Sequence, residues 1–253
     1  MSDGDLSERV AEACRVLARL DLTKAATGHV SARIPGTERA LIRARGPGEL
    51  GVRYTTAKQI IEVDFDGRTI GKPEEGLESP IEVFIHTAVY RTRPDVNAVV
   101  HVHPTAVVLF TICNTPLLPL YGAYDPASLQ LALEGIPTYE RSILISTPEL
   151  GADLVRAMGK ASTCMMRGHG ITTIGASVEE AALAAIHLND LATVNYQARL
   201  LGDPMPISKE DQDAFARVGR ARERAGAGTE AGRPAGRTAA LWRYYCALTS
   251  DRG

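Results

Sequence analysis

The hydrophobic pattern opens with a helix. Residues 6–20 place Leu6, Val10, Cys14, Leu17 and Leu20 on one stripe at helical spacing. A turn at Thr27-Gly28 follows, then three short extended runs, HVSARI, ALIRAR and IIEVDF, separated by Gly, Pro and Asp-Gly breaks. Ser79 next reads as an N-cap, Pro80 as the first helical residue and Glu82 as the partner that closes a capping box, ahead of VFIHTAVYRTR. NAVVHVHP reads as a strand. VVLFTICN and the loop PLLPLYGAYDP lead to ILIS, and Thr147-Pro148-Glu149 starts another helix. A strand at TCMMRG turns through Gly168-His169-Gly170 into ITTIG, and Ser177 caps a long helix that Gly202 closes. Residues 1–206 are therefore expected to form one α/β domain, with helices packed on a central sheet. Residues 207–253 change character: a charged helix near 209–224, a Gly/Ala/Arg linker, then a short amphipathic helix at TAALWRYYCAL.

Charge and composition narrow the function class. The 253 residues carry 28 Lys+Arg against 30 Asp+Glu, a formal charge of −2, which offers no general attraction to nucleic acid or anionic membrane. The Arg-rich stretch RVGRARERAGAGTEAGRPAGR has interspersed acids and no aromatics, so it reads as a solvated helix and linker. No apolar run reaches the roughly 18 residues of a spanning helix. The acidic start MSDGDLSERVAEACRV has no basic region or apolar core of a signal peptide. Cys14, Cys113, Cys164 and Cys246 are scattered, form no CxxC and read as buried, reduced thiols of a cytoplasmic protein.

The chemistry concentrates in histidine. On a strand, His101 and His103 project to the same face with Cα atoms about 6.5 Å apart, close enough to meet one metal ion. Two buried imidazoles side by side are costly without such a purpose. His169, between two glycines at the exit of another apolar strand, is a candidate third ligand. His86 is the other contender, four residues after Glu82 and on the same helical face; against it stands the reading of Glu82 as a helix cap. His187, mid-helix among Ala and Leu, reads as a core histidine. The literal GxGxxG at Gly46–Gly51 is set aside: only VRYTTAKQ separates it from the next strand, too short for the crossover helix of a dinucleotide site.

Taken in order, TGHVSAR, EVFIHTAVYRTRPDVNAVVHVHP and RGHG resemble the class II aldolase/adducin family over about residues 6–206. The resemblance implies a single α/β domain around a mostly antiparallel sheet, assembled as a homotetramer with sites at subunit interfaces. It implies a divalent metal, zinc first and manganese, cobalt or iron(II) also suited, held by His101, His103 and His169. It also implies Glu82 as the acid/base.

Departures from the pattern point to the substrate. His29 stands where sugar-phosphate aldolases of the family carry Asn, Arg45-Gly46-Pro47-Gly48 occupies the second loop, and Pro80-Ile81 replaces a serine pair. Lost donors would leave phosphate oxygens unpaired at about 1–3 kcal/mol each. Arg45, His29 and Gly46 suit a carboxylate instead. Tyr121 or Tyr124 could line a ring pocket, as could Tyr244 and Tyr245 across a subunit boundary, and apolar Ile81 is expected to raise the pKa of Glu82. RGHGITTIGASVEEA, PISKEDQDAF and the terminal Trp-Arg-Tyr-Tyr are similar to the family's decarboxylases of hydroxylated aromatic acids. The implied reaction is a non-oxidative decarboxylation of a dihydroxyphthalate- or dihydroxybenzoate-like acid, through a metal-bound phenolate and ring protonation. An aldolase acting on a small unphosphorylated carbonyl compound needs the same residues, and a non-catalytic adducin-like interaction module is the remaining alternative.

Overall fold

The computed structural model describes residues 3–74, 76–226 and 236–250. The helices are α1 (Asp3–Arg19), α2 (Val83–Thr92), α3 (Thr105–Ile112), α4 (Pro126–Glu134), α5 (Pro148–Met158), α6 (Val178–Leu201), α7 (Lys209–Gly226) and α8 (Arg237–Ser250). The strands are β1 (His29–Arg33), β2 (Arg39–Arg43), β3 (Ile60–Asp64), β4 (Thr69–Ile70), β5 (Ala98–Val102), β6 (Thr138–Tyr139), β7 (Thr163–Met166) and β8 (Gly170–Gly175). They form one sheet in the order β4-β3-β2-β1-β5-β8-β7-β6. Every neighbouring pair is antiparallel except β6 with β7. The architecture is thus the α/β domain with a mostly antiparallel sheet that the sequence implied.

Strand alternation divides the core in two. Val30, Ala32, Leu41, Ala98, Val100 and Val102 pack with α1 and α6 on one face. Ala40, Ile42, Val63, Val99 and Ile174 pack with α2 and α5 on the other. His29, Ser31 and His101 have the second parity, so they project toward α2. Close approach on that face requires a small residue: a Cβ on Gly151 of α5 would fall 2.5 Å from the Phe84 carbonyl oxygen of α2.

Several local signals work as read. Thr147 accepts the Leu150 N–H at the start of α5, and Ser177 accepts the Glu180 N–H at the start of α6, which ends at Gly202. The capping box at Ser79 does not form. Helix α2 begins at Val83, with Glu82 in the cap position and no side-chain cap bond. The eight residues after Gly51 make two short 3-10 turns, Val52–Tyr54 and Ala57–Gln59, in keeping with the absence of a crossover helix there. Of the cysteines, Cys14 and Cys164 are buried, Cys246 is half-buried and Cys113 is exposed, so the expectation of four buried thiols fails at Cys113. In the C-terminal stretch, α8 lies against α1 and α6 and buries Trp242. Of the linker expected between its helices, residues 225–237, the ends belong to α7 and α8 and residues 227–235 lie outside the described residues. Among the described residues no helix is long and apolar enough to cross a membrane.

Candidate metal centre

His101 lies wholly buried near the end of β5. Its Nδ1–H donates to the Ile171 carbonyl of β8 at 3.0 Å, because a carbonyl can only accept; Nε2 is left with a free lone pair. His103, one residue past β5, shares its face, and the two Nε2 atoms are 3.0 Å apart. His169 comes from the β7–β8 turn, where Gly168 takes φ +59°. A Cβ on Gly170 would lie 2.4 Å from the Val102 oxygen and 2.7 Å from the His103 ring, so the turn closes on β5 only with glycine there. The His101 and His169 rings are 4.9 Å apart and those of His103 and His169 are 5.3 Å apart.

Glu82 joins this cluster. Its Oε2 is 3.5 Å from His101 Nε2 and 3.3 Å from His169 Nε2, while Oε1 accepts the Ile145 N–H at 2.8 Å. That explains the late start of α2: the carboxylate is held sideways by the cluster and by ILIS, and is not available to cap the helix. Donor atoms of Glu82, His101, His103 and His169 all lie within 4.8 Å of one another. Donors bound to a tetrahedral zinc at 2.0–2.1 Å are about 3.4 Å apart; the His101 and His103 Nε2 atoms are 3.0 Å apart, and the Glu82 carboxylate stands beside them at 3.3–3.5 Å from the rings of His169 and His101. The bare Nε2 of His101 facing Nε2 of His103 also calls for a proton or cation between them. These residues fit a divalent metal ion.

The electrostatics agree. Burial, then the charge of neighbouring histidines, pushes His103 down to about 3; burial likewise lowers His101. Imidazoles kept deprotonated are the form that binds metal. Burial on its own raises the pKa of Glu82, but the adjacent His101 and His169 outweigh it and hold the carboxyl well below the usual range. The expected upward shift from Ile81 is therefore corrected. Ile81 is 51% exposed, and the neighbouring histidines set the direction of the shift at Glu82.

Around the cluster the candidates separate. His29 is the register partner of His101, and its ring lies 5.1 Å from that of His101. His86 is not a third ligand: it bonds His29 through Nε2 at 2.7 Å and Ser31 through Nδ1 at 2.6 Å. Arg45 and Glu78 exchange both backbone bonds at 2.9 Å, which draws the Arg45-Gly46 loop against the segment carrying Pro80, Ile81 and Glu82. The Arg45 guanidinium is half-exposed and pairs with Glu78 at 2.8 Å. Pro80 is buried beside it. A second arginine, unremarked in the sequence, does more for the local backbone: buried Arg43 pairs with Glu49 at 2.8 Å and donates to the Ala26 carbonyl just before β1.

Tyr121 and Tyr124 are elsewhere in this chain. They line a separate cleft of about 560 Å³ with Asp125, His187, Asp190 and Tyr245. His187 is accordingly no core residue; it is half-buried with Nδ1 3.3 Å from Asp125 Oδ2. The sequence reading also missed Ser31, Tyr90 and Ile145, which are ordinary residue types whose role appears only through their partners.

The geometry agrees with relatedness. The chain belongs to the class II aldolase family: the model for "Class II Aldolase and Adducin N-terminal domain" matches residues 8–196. It is 43% identical over 206 residues to a 3,4-dihydroxyphthalate decarboxylase of Terrabacter sp. (strain DBF63), covering 80% of this chain and 85% of that one. It is 41% identical over 197 residues to a 3,4-dihydroxyphthalate decarboxylase of Arthrobacter keyseri, covering 77% and 79%. At that similarity over most of both chains, the protein is a lyase on the carboxy-lyase side of the family. The crystal structure of an aldolase II superfamily protein from Pseudomonas syringae superposes with a TM-score of 0.81 at 24% identity, covering 99% of this chain and 94% of that one, and shares the fold.

Proposed function

We propose that this protein is a metal-dependent, non-oxidative decarboxylase of a hydroxylated aromatic carboxylic acid, of the dihydroxyphthalate or dihydroxybenzoate type. One observation carries the reading: three imidazoles and the carboxylate of Glu82 converge within 4.8 Å in a chain over 40% identical to dihydroxyphthalate decarboxylases. His101, His103 and His169 hold the ion. A divalent metal there supplies Lewis-acid stabilisation of negative charge on the phenolic oxygens. The family resemblance supports zinc, a homotetramer and a cytoplasmic setting.

Glu82 acts on the ring. With Oε1 anchored by the Ile145 N–H, Oε2 exchanges its histidine contacts for the substrate and picks up a proton. It delivers that proton to the ring carbon bearing the carboxylate. The carbon–carbon bond then breaks, its electron pair restores the aromatic ring, and CO₂ departs. Water returns a proton to Glu82, so one carboxylate and one proton become one arene C–H and CO₂. With a phthalate-type substrate, Arg45, on the loop zipped to the Glu82 segment, grips the second carboxylate, the one not lost, by leaving its exposed partner Glu78.

The test is a panel of dihydroxyphthalates and dihydroxybenzoates scored for CO₂ release, with metal measured in parallel. His169→Ala should lose metal and turnover together. Glu82→Gln should retain metal and lose turnover by about 100-fold or more. Aldehyde release from small hydroxy-carbonyl compounds, with no CO₂ from any aromatic acid, would replace this reading with an aldolase. Full turnover in metal-depleted protein would remove the metal from it.

A further inference from the structure

We infer that His29 is a fixed N–H donor: a one-way hydrogen-bond relay, Tyr90 to Ser31 to His86 to His29, places its proton on Nε2 and aims it at an acceptor oxygen of the bound acid. Only the identity of that acid rests on the proposed function; the direction of the relay does not.

The relay is short and dry. Tyr90 Oη to Ser31 Oγ is 2.7 Å, Ser31 Oγ to His86 Nδ1 is 2.6 Å, and His86 Nε2 to His29 Nδ1 is 2.7 Å. Ser31, His86, Tyr90 and His29 are all buried. Its direction follows from counting protons. The Tyr90 hydroxyl oxygen accepts from the Val99 backbone N–H, and its one acceptor among the described residues is Ser31, so its proton goes there; any other arrangement strands a buried donor. Burial also raises the Tyr90 pKa, so that proton stays on. Ser31, accepting from Tyr90, spends its own proton on His86 Nδ1, since it too has no other acceptor among the described residues. His86 Nδ1 is then the bare nitrogen and Nε2 carries the hydrogen, which it donates to His29 Nδ1. Neutral His29 is left with its hydrogen on Nε2, an atom with no hydrogen-bond partner among the described residues.

This outcome separates two histidines that look alike in position. His101 and His29 pair across β5 and β1 with rings 5.1 Å apart. The Ile171 carbonyl fixes the hydrogen of His101 on Nδ1 and frees Nε2 to ligate. The relay does the reverse at His29, which therefore cannot be a ligand and can only donate. A donor beside the histidine cluster selects an oxygen lone pair, carboxylate or phenolic, and repels a group that presents only N–H. His86, Ser31 and Tyr90 are positioning residues acting through His29.

The experiment is nitrogen-15 NMR of the histidine rings in zinc-loaded protein, with His29→Gln used to assign the signals. Expected is a protonated Nε2 and bare Nδ1 at His29, and a mixed tautomer in Ser31→Ala. A hydrogen on Nδ1 of His29 overturns the relay whatever the protein catalyses. Adding 3,4-dihydroxybenzoate, which needs no turnover, should shift the Nε2–H signal, and His29→Leu should weaken its binding at least tenfold while His29→Gln, keeping an N–H, loses less. Catechol, lacking the carboxylate, tells which oxygen is held: an equal shift assigns a phenolic oxygen, no shift the carboxylate. If neither ligand moves the His29 signal, the grip is refuted even where CO₂ release succeeds.

Discussion

Acid should destabilise this protein through His86 in a measurable and separable way. An unfolded histidine titrates near 6.5. In the folded chain, burial foremost and then the charge of His101 push His86 down to about 3, against a smaller opposing influence from Glu82. The depressed native value sets the sign. Above about pH 6.5 the ring is neutral in both states and its contribution is fully present. As pH falls from 6.5 toward 3, only the unfolded state takes the proton, and stability drains away. At pH 5 the unfolded ring gains a factor of about 30 in proton binding while the native ring stays neutral, which amounts to about 2 kcal/mol. Urea unfolding at pH 7.5 and pH 5, with chelator present throughout so that metal linkage is removed, measures this for wild type and His86→Gln. Titrations common to both proteins, that of His103 among them, cancel in the comparison. Wild type should lose about 2 kcal/mol more than the variant between the two pH values. Parallel losses would show that the native ring takes up a proton as readily as the unfolded one, and the neutral, one-way hydrogen bonding at His86 would have to be abandoned.

Two further perturbations probe the glycines that let the site close. In Gly170→Ala the new methyl, 2.7 Å from the His103 ring and 2.4 Å from the Val102 oxygen, should displace the ligand and weaken metal binding by about 10–100-fold in chelator competition, with circular dichroism unchanged. Unaltered metal affinity would show that the turn yields without moving His103. Gly151→Ala forces α5 away from α2, where the methyl meets the Phe84 oxygen at 2.5 Å and the Ala88 methyl at 2.9 Å; a loss of about 1–3 kcal/mol in urea unfolding is expected. A loss under about 0.5 kcal/mol would mean that the helices separate freely.

The parts of the site legible in the sequence are those in which spacing alone dictates direction. His101 and His103 had to share a face once their run was read as a strand, and glycines flanking His169 marked a turn that packs against backbone. The strand runs, the caps at Thr147 and Ser177, and the closure of α6 at Gly202 were readable because each is a local signal with a local cause. Helix α4 carries the same kind of signal, Asp125 at the cap and Pro126 behind it, hidden inside a stretch read as loop. The failure at Ser79 is of another sort. Ser-Pro-x-Glu is a sound helix start taken by itself, and α2 gives it up because Glu82 accepts the Ile145 N–H and turns its other oxygen toward His101 and His169 instead. A broken local rule at that residue marks a competing demand, and the competing partners are 19, 87 and 63 positions away in the chain.

The same reasoning explains why tautomers were beyond the sequence. His29 and His101 occupy adjacent strands, point to one side and differ in nothing that composition or periodicity records. What separates a ligand from a donor is the second nitrogen of each ring. For His101 that nitrogen meets a carbonyl, which can only accept; for His29 it meets another histidine, whose own state is decided two bonds further on by a buried phenol. The chemical identity of each imidazole is thus set on the side of the ring away from the histidine cluster, by the Ile171 carbonyl in one case and through Tyr90 in the other. Removing the Tyr90 hydroxyl should therefore alter what His29 can hold without touching His29 itself, whereas the Ile171 carbonyl belongs to the backbone and survives any change of side chain.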